Sequence, residues 1–315
     1  MTRPDVVCLG ESMAMLVPSD GEPLRSAASF TLTTAGAESN VARALVQLGS
    51  TAAWVSLLGD DVLGARVLDD ITSAGVDVSL TRRRPERTGF FLKDPGEHGS
   101  RVTYYRDGSA ASRLGRADVD RALAARPRHL HLSGVTPALS ASCRDAVTYA
   151  LAAARELGVT TSFDVNHRPA LWPESGEAAE VLRALAKSSD VVFTGLDEAE
   201  ALWGTTTPED VRDLLVGPGA VVVKNGGTDA ICFAADERFV EPALPVPVVE
   251  PVGAGDAFAA GWLHGALTGL AHPARLRLGH LLASAALGSL SDHFPMPSPP
   301  AELVRAAVAG PNPGS

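Results

Sequence analysis

Short apolar runs alternate with longer amphipathic segments along most of this chain. The runs predicted to be strands are residues 5–10, 52–58, 129–132, 160–164, 190–194 and 220–224. The segments predicted to be helices are residues 35–48, 61–74, 142–157, 177–186, 207–215, 256–268 and 273–290. Strands that alternate with helices in this way predict an α/β fold, with a mostly parallel sheet covered by helices on both faces.

The middle of the chain departs from that alternation. Residues 88–94 and 102–106 read as two strands joined by the turn-rich stretch 95–99, which predicts a hairpin. With the strand-like residues before Gly36 they predict a small second sheet, formed by about residues 12–35 and 87–108. Three shorter strands, at residues 230–234, 238–240 and 246–249, are expected to run antiparallel at the edge of the large sheet.

Composition narrows the class of protein. A chain of 315 residues with 45% apolar content has ample core for one domain, which we expect to span residues 1–315. The net charge of −10 argues against a nucleic-acid partner. Cys8, Cys143 and Cys232 are far apart and odd in number, which suits a reducing cytoplasm and offers no metal-ligand spacing. Neither a leader peptide nor a membrane span is expected.

A glycine-containing turn, residues 252–256, leads directly into an apolar run. Its sequence is Val-Gly-Ala-Gly-Asp, which predicts a tight turn that opens a helix. Such a turn directs backbone N–H groups and the positive end of the helix dipole at one spot, where an anion binds. Asp256 beside that spot suits a general base that takes a proton from an attacking hydroxyl group. An aspartate that only caps a loop is the alternative.

This glycine turn resembles the signature near the C-terminal end of the ribokinase-like (PfkB) sugar kinases. Residues 35–40, Ala-Gly-Ala-Glu-Ser-Asn, are similar to the diglycine motif near the other end of the family's chains, with Ala35 in place of the first glycine. The resemblance extends from Gly10 to about Asp292. It implies a three-layer α/β/α core and a small β-sheet that forms a lid over the sugar and often supplies a dimer contact.

The resemblance also implies roles for individual residues. Those carried over to catalysis are Asp256, Gly253, Ala254 and Gly255. Gly36 would let the backbone approach the sugar hydroxyls, and Asn40 would hydrogen-bond to them. An ordinary helix start capped by Ser39 or Asn40 is the alternative.

Two arginines bear on the choice of sugar. Arg106 lies in residues 102–111, Val-Thr-Tyr-Tyr-Arg-Asp-Gly-Ser-Ala-Ala, and Arg168 lies in residues 163–172, Phe-Asp-Val-Asn-His-Arg-Pro-Ala-Leu-Trp. Two guanidinium groups that converge on one pocket suit a carboxylate, so a sugar acid is predicted. A solvent-exposed Arg106 and an Asp164–Arg168 ion pair at the strand end are the alternatives.

Both stretches resemble those of the 2-keto-3-deoxygluconate kinases within the family. This closer resemblance implies that Tyr104, Arg106 and Arg168 contact the substrate carboxylate and keto group. Phe91 stands where a tyrosine is common, which would remove one hydroxyl contact. If Tyr104 instead only forms one face of a hairpin strand, it has no such role.

Nucleotide contacts follow from the same resemblance. Glu198 matches the glutamate of an Asn-x-x-Glu stretch that acts through water on Mg²⁺, although a solvated first helical turn is the alternative. Lys224 and Gly226 match a loop that lies along the nucleotide, and a plain exposed lysine is the alternative. His280 stands where an asparagine often lines the adenine pocket, and a position on the helix surface is the alternative. The resemblance also implies a K⁺ site near the glycine turn, where Glu250 and Pro251 replace a common Asp-Thr pair.

The implied reaction is transfer of phosphate from ATP, with Mg²⁺, to the 6-hydroxyl group of 2-keto-3-deoxygluconate. We expect a homo-oligomer formed through the lid and no membrane partner. A fructokinase or ribokinase specificity is the first alternative, and a sensor that binds a sugar acid without turnover is the second. A Rossmann dehydrogenase is poorly supported, since no G-x-G-x-x-G follows the first strand.

Overall fold

The apolar runs of the chain lie side by side in one large sheet. The computed structural model describes residues 3–96, 100–172, 175–249, 251–289 and 294–310. Within them the large sheet has eight strands in the order β14-β13-β12-β11-β10-β9-β1-β4, and the pairs from β12 to β4 are parallel. The predicted α/β class with a mostly parallel sheet is therefore confirmed.

The strands are β1 (Val6–Leu9), β2 (Met13–Pro18), β3 (Phe30–Ala35), β4 (Ala52–Val55), β5 (Leu57–Gly59), β6 (Arg82–Arg84), β7 (Phe90–Asp94), β8 (Arg101–Tyr105), β9 (His129–Ser133), β10 (Thr160–Asp164), β11 (Val191–Gly195), β12 (Ala220–Asn225), β13 (Asp229–Ala234) and β14 (Glu237–Pro242). The α-helices are α1 (Ala37–Gln47), α2 (Val62–Ser73), α3 (Arg116–Ala124), α4 (Ala141–Glu156), α5 (Ser175–Ser188), α6 (Leu196–Trp203), α7 (Pro208–Leu214), α8 (Ala254–Leu267), α9 (His272–Leu287) and α10 (Pro300–Ala309).

Alternation along the strands places apolar side chains on both faces of the large sheet. On β1, Val6 and Cys8 belong to the hydrophobic cluster that also contains α8 and α9, whereas Val7 and Leu9 belong to the cluster on the opposite face. Helices α8 and α9 pack closely, because a Cβ atom on Gly261 would lie 2.7 Å from the carbonyl oxygen of Leu278. No helix in the described ranges is long and apolar enough to span a bilayer.

Some predicted elements differ from the structure. Residues 246–249 form no strand, because Pro245 and Pro247 lack the N–H groups that a sheet ladder needs. The run 52–58 is divided into β4 and β5, and β5 pairs with β6 in a separate two-stranded sheet. Helices α3, α6 and α10 were not predicted. Residues 97–99 of the predicted turn and residue 290 of the predicted last helix lie outside the described residues.

A second, four-stranded sheet has the order β3-β2-β7-β8 and is called the small sheet here. Its strands come from the two stretches 12–35 and 87–108, so the chain enters the small sheet after β1 and again after β6. One face of the small sheet contributes Met15, Phe91 and Tyr104 to the wall of the main cavity. The carboxyl-terminal ends of β10, β11 and β12 contribute to the wall of the same cavity through Asp164, Gly195 and Lys224.

Candidate active site

The glycine turn borders a cavity of about 720 Å³. Gly253 caps α8 with φ 85° and ψ −12°, a left-handed conformation that glycine adopts without strain. The first turn of α8, from Ala254 to Asp256, lies in the cavity wall. Amide N–H groups at the start of a helix have no acceptor within the helix, and the helix dipole adds positive potential there. This end of the cavity is therefore suited to a phosphoryl group.

Asp256 is the third residue of α8, and its side chain is largely buried. Asn40 on α1 donates a hydrogen bond from Nδ2 to Asp256 Oδ2 at 2.9 Å, although the two residues are 216 positions apart in the chain. The two motifs that sequence analysis singled out therefore meet in space. The amide fixes one carboxylate oxygen, and Asp256 remains a member of the cavity wall.

Gly36 has a packing reason for being glycine. It is the N-cap residue of α1 in an extended conformation, with φ −178°. A Cβ atom at this position would lie 2.4 Å from the carbonyl oxygen of Glu11 and 2.8 Å from Cα of Ser12. The missing side chain lets the start of α1 press against the segment between β1 and β2. A sugar contact at Gly36 stays a prediction, since the residue does not contribute to the described cavity wall.

The part of the cavity wall formed by the small sheet and the loop after β10 is aromatic and cationic. Phe91 on β7 and Tyr104 on β8 are cross-strand neighbours, with ring centroids 5.5 Å apart. Arg168, in the loop after β10, also lines the cavity and is exposed. Its guanidinium takes part in none of the hydrogen bonds or ion pairs among the described residues, so it is available to an anionic ligand.

Arg106 occupies a different place from the one predicted. It is buried behind the cavity wall, and its Nη2 atom forms an ion pair with Oε2 of Glu11. Its guanidinium carbon lies 5.4 Å from the centroid of the Tyr104 ring. A buried guanidinium requires a counter-charge, and Glu11 supplies it. Arg106 does not line the described cavity, so a contact of both arginines with the substrate stays a prediction, whereas the alternative of a solvated Arg106 is wrong.

Three charged groups meet where the strands of the large sheet end. Lys224 Nζ lies 3.1 Å from Oδ2 of Asp164, so Asp164 pairs with this lysine and the alternative Asp164–Arg168 pair is wrong. Burial lowers the pKa of Lys224, but the carboxylates of Asp164 and Glu198 outweigh burial and raise it above its ordinary value. A Cβ atom on Gly255 would lie 3.3 Å from Nζ. The ammonium group therefore lies against the glycine turn.

Glu198 holds the loops beside this lysine. Its Oε2 accepts a hydrogen bond from the Gly195 amide at 2.8 Å, and its Oε1 accepts one from the His167 amide at 3.1 Å. Burial raises the pKa of Glu198, although nearby Lys224 lowers it. The alternative of a merely solvated first helical turn is wrong, since the carboxylate lines the cavity. No cluster of three or more His, Cys, Asp or Glu side chains suited to a metal occurs in the described ranges.

The remaining predicted nucleotide residues lie in the same cavity wall. Gly226 has φ 53° in the loop between β12 and β13. His280 is buried, with Nε2 at 3.1 Å from the carbonyl oxygen of Glu241 and its ring edge-on to Phe258 at 5.2 Å between centroids. Burial lowers the pKa of His280, so the neutral ring donates through Nε2. The helix-surface alternative for His280 is wrong.

Lys93 and Asn166 are among the polar wall residues that sequence reasoning missed. Lys93 lies two positions after Phe91 on β7, and both are buried in the cavity wall. The period of two along a strand was a usable signal for Lys93. Asn166 is buried in a left-handed conformation with φ 37°, and its Oδ1 has no hydrogen-bond partner among the described residues. No local signal pointed to Asn166, because backbone strain appears only in the folded chain.

Comparison with known proteins agrees with this geometry. Residues 3–299 match the pfkB family of carbohydrate kinases. The chain is 37% identical over 300 residues to a 2-dehydro-3-deoxygluconokinase of Bacillus subtilis, covering 93% of each chain. It is 31% identical over 289 residues to a 2-dehydro-3-deoxygalactonokinase of Haloferax volcanii, covering 90% of each.

Solved structures show the same fold. A 2-dehydro-3-deoxygluconokinase of Thermotoga maritima superposes with a TM-score of 0.86 at 27% identity, covering 96% of this chain and 98% of that one. An Escherichia coli ribokinase II, solved in complex with ATP and Mg²⁺, superposes with a TM-score of 0.84 at 24% identity, covering 95% and 97%. The glycine turn, its aspartate and the matched length together show that this chain belongs to the pfkB family of carbohydrate kinases.

Proposed function

We propose that this chain phosphorylates the 6-hydroxyl group of 2-keto-3-deoxygluconate with ATP, giving 2-keto-3-deoxy-6-phosphogluconate. One observation carries the proposal: Asp256 at the start of a helix and the exposed guanidinium of Arg168 line the same cavity. A general base beside an anion site suits phosphoryl transfer, and a cation at the far end suits an acidic acceptor. The 2-dehydro-3-deoxygluconokinase relatives support that choice.

Asp256 takes the proton of the 6-hydroxyl group as the oxygen attacks the γ-phosphorus of ATP. The new oxygen–phosphorus bond forms while the bond from the γ-phosphorus to the β,γ-bridging oxygen breaks, and ADP leaves with that electron pair. Amides of residues 254–256 and the Lys224 ammonium stabilise the charge on the transferring group. Asn40 holds one Asp256 oxygen at a fixed position in the cavity wall.

The described residues fit Mg²⁺ bound mainly by phosphates and water. No metal-binding cluster of three side chains lies in the described ranges, and Mg²⁺ commonly keeps several waters. Glu198 and Asp164 are the carboxylates that would accept hydrogen bonds from such waters. When bound, the ion would neutralise part of the negative charge of the phosphates. A K⁺ site stays a prediction, since Glu250 lies outside the described residues.

The acid end of the substrate is assigned to the wall that contains Arg168, Tyr104 and Phe91. A guanidinium holds a carboxylate through two parallel hydrogen bonds, and the Tyr104 hydroxyl is a further donor. Arg106 supports this wall from behind through the Tyr104 ring. Phe91 supplies apolar contact only. The small sheet would act as the lid that excludes water during transfer, and its outer edge is the proposed dimer contact.

The compartment proposed is the cytoplasm. Cys8, Cys143 and Cys232 are all buried and free, as is usual for proteins of reducing compartments.

A substrate panel with coupled detection of ADP tests the proposal. The panel contains 2-keto-3-deoxygluconate, 2-keto-3-deoxygalactonate, fructose and ribose. We expect a kcat/KM for the two acids about 10–100-fold above that for the neutral sugars, since loss of a charge-assisted pair costs about 1.5–3 kcal/mol. Faster turnover of fructose or ribose would favour the neutral-sugar kinase. Binding of an acid without ADP release would favour the sensor.

The panel includes 2-keto-3-deoxygalactonate because a relative of this chain is named for that acid. A relative at 31% identity is a 2-dehydro-3-deoxygalactonokinase. The two acids differ in the configuration of one hydroxyl group, and this difference lies away from the carboxylate that Arg168 is proposed to hold. Equal kcat/KM values for the two acids would make the enzyme a kinase of both.

A further inference from the structure

Four short connections carry the chain between the core and the small sheet. They lie between β1 and β2, between β3 and α1, between β6 and β7, and after β8. Any change in the tilt of the small sheet has to be absorbed in these segments. Glu11, in the first connection, contacts a residue from each of the other three.

Two of the contacts are polar and involve the last connection. The Glu11 carboxylate forms a buried ion pair with Arg106, and the Ser109 hydroxyl donates a hydrogen bond to Glu11 Oε1 at 2.6 Å. The other two are close backbone approaches. A Cβ atom on Gly89 would lie 3.1 Å from Glu11 Oε1, and one on Gly36 would lie 2.4 Å from the Glu11 carbonyl oxygen. Both glycines let the connections close around this residue.

The same point is linked to both ends of the cavity. Next to Glu11, the Ser12 hydroxyl lies 2.8 Å from the hydroxyl of Ser39 at the start of α1. Asn40, the following residue of that helix, hydrogen-bonds to Asp256. On the other side, Arg106 lies against the Tyr104 ring in the wall of the small sheet. A displacement of Glu11 would therefore move the cavity wall at Tyr104 through Arg106. It would also move Asp256 through α1.

We propose that Glu11 is a positioning residue. It fixes the position of the small sheet relative to the core, so that the side chains of the small sheet can contact the substrate bound beside Asp256. The inference rests on the proposed function and adds a residue that touches neither substrate nor nucleotide. The ion pair is buried, since the side chain of Glu11 is only 1% exposed and that of Arg106 only 7% exposed. Removing one partner leaves the other charge buried and unpaired, so Arg106 has to move.

The test compares Glu11→Gln with the wild-type chain. Glutamine keeps the shape and the acceptor for Ser109 but removes the counter-charge of Arg106. We expect the KM for the sugar acid to rise at least about tenfold while the KM for ATP stays within about twofold, because the nucleotide residues lie on the core. We also expect faster amide hydrogen exchange in β2, β7 and β8, and more ADP released per sugar phosphate formed, because a loose lid admits water.

Asp145→Asn is the matched control, because it removes one carboxylate from the exposed Arg116–Asp145 pair away from the cavity. It should leave both KM values unchanged. Glu11→Asp keeps the charge on a shorter side chain and is the second variant in case Glu11→Gln is poorly folded. Its KM for the sugar acid should lie closer to the wild-type value than that of Glu11→Gln. A lower melting temperature in Glu11→Gln with unchanged KM values and unchanged exchange in the small sheet would overturn the proposal.

The experiment separates this inference from the proposed function. If the wild-type chain fails to phosphorylate any sugar acid but Glu11→Gln still loosens β2, β7 and β8, the proposed substrate is wrong and Glu11 remains the residue that positions the small sheet. If the wild-type chain is active and Glu11→Gln changes neither kinetics nor exchange, the inference alone is wrong.

Discussion

The two ends of the cavity are built in different ways. The phosphoryl end is made by consecutive residues of the glycine turn, whose backbone amides and Asp256 side chain follow from one left-handed glycine and one helix start. The sugar end is made by side chains from β7, β8 and the loop after β10, which are distant in sequence. The first depends on local backbone geometry, and the second depends on which long-range partner each side chain finds.

The arginines illustrate the difference. Arg106 and Arg168 look equivalent in sequence, since each follows a strand and stands near aromatic or hydrogen-bonding residues. In the fold, Arg106 is buried against Glu11, whereas Arg168 remains exposed in the cavity wall. A charged side chain that is buried needs a counter-charge. Arg106 is therefore paired with Glu11 behind the cavity wall, whereas Arg168 stays available to the substrate.

The largest effect is expected at the phosphoryl end, from Asp256→Asn. Loss of the general base should lower kcat by at least about 100-fold with little change in sugar affinity. Steady-state kinetics with coupled ADP detection checks this. Asp197→Asn, an exposed carboxylate near the same cavity, is the control and should change kcat by less than about twofold. An unchanged kcat in Asp256→Asn would remove this residue from the mechanism.

Lys224→Met should have the next largest effect. The substitution removes the cation beside Gly255 and leaves Asp164 without its partner, so we expect kcat to fall by about 10²-fold and the KM for ATP to rise. Lys187→Met changes an exposed lysine on α5 and serves as the comparison. If Lys224→Met folds normally and transfers phosphate at the wild-type rate, the ammonium has only a structural role.

Arg168→Ala should alter the sugar end selectively. We expect kcat/KM for the sugar acid to fall by about 10–100-fold and that for a neutral sugar to change by less than about threefold, because only the acid loses a charge-assisted hydrogen bond. Measurement over the substrate panel checks this. Arg183→Ala, on the exposed face of α5, controls for the loss of a surface charge. Equal losses for acid and neutral sugars would make Arg168 a structural residue.

The smallest effect is expected at Glu38 on α1, whose buried carboxyl accepts hydrogen bonds from Ser133 and Thr136. Burial raises the pKa of Glu38, and a raised folded-state pKa means that stability is lost as pH rises through it. Glu38→Gln cannot ionise, so its melting temperature should gain on the wild-type value by about 1–3 °C as pH rises from 5 to about 8.

Thermal unfolding over that pH series measures the difference. Glu156→Gln, which changes an exposed glutamate at the end of α4, should follow the wild-type curve. Parallel curves for Glu38→Gln and the wild-type chain would show that the protonation of Glu38 is the same in the folded and unfolded states over this pH range.

Predictions from sequence succeeded where the signal was local. Apolar runs of strand length, glycine stops and helix caps predicted the parallel sheet, and the strands β9 to β12 lie within a residue or two of the predicted ranges. The failure at residues 246–249 was also local, because the apolar count there outweighed the two prolines that prevent sheet pairing. The family followed from two short motifs in the right order.

What the sequence by itself determined was the α/β alternation, the glycine turn with its aspartate, and the family to which they belong. Each depends on residues that are neighbours in the chain, where turn chemistry and periodicity act directly. The tertiary structure alone decided that Arg106 pairs with Glu11, 95 residues away, that Asp164 pairs with Lys224, 60 residues away, and that Asn166 faces the cavity. The energies of buried charges and strained residues depend on contacts that form only when distant segments pack together.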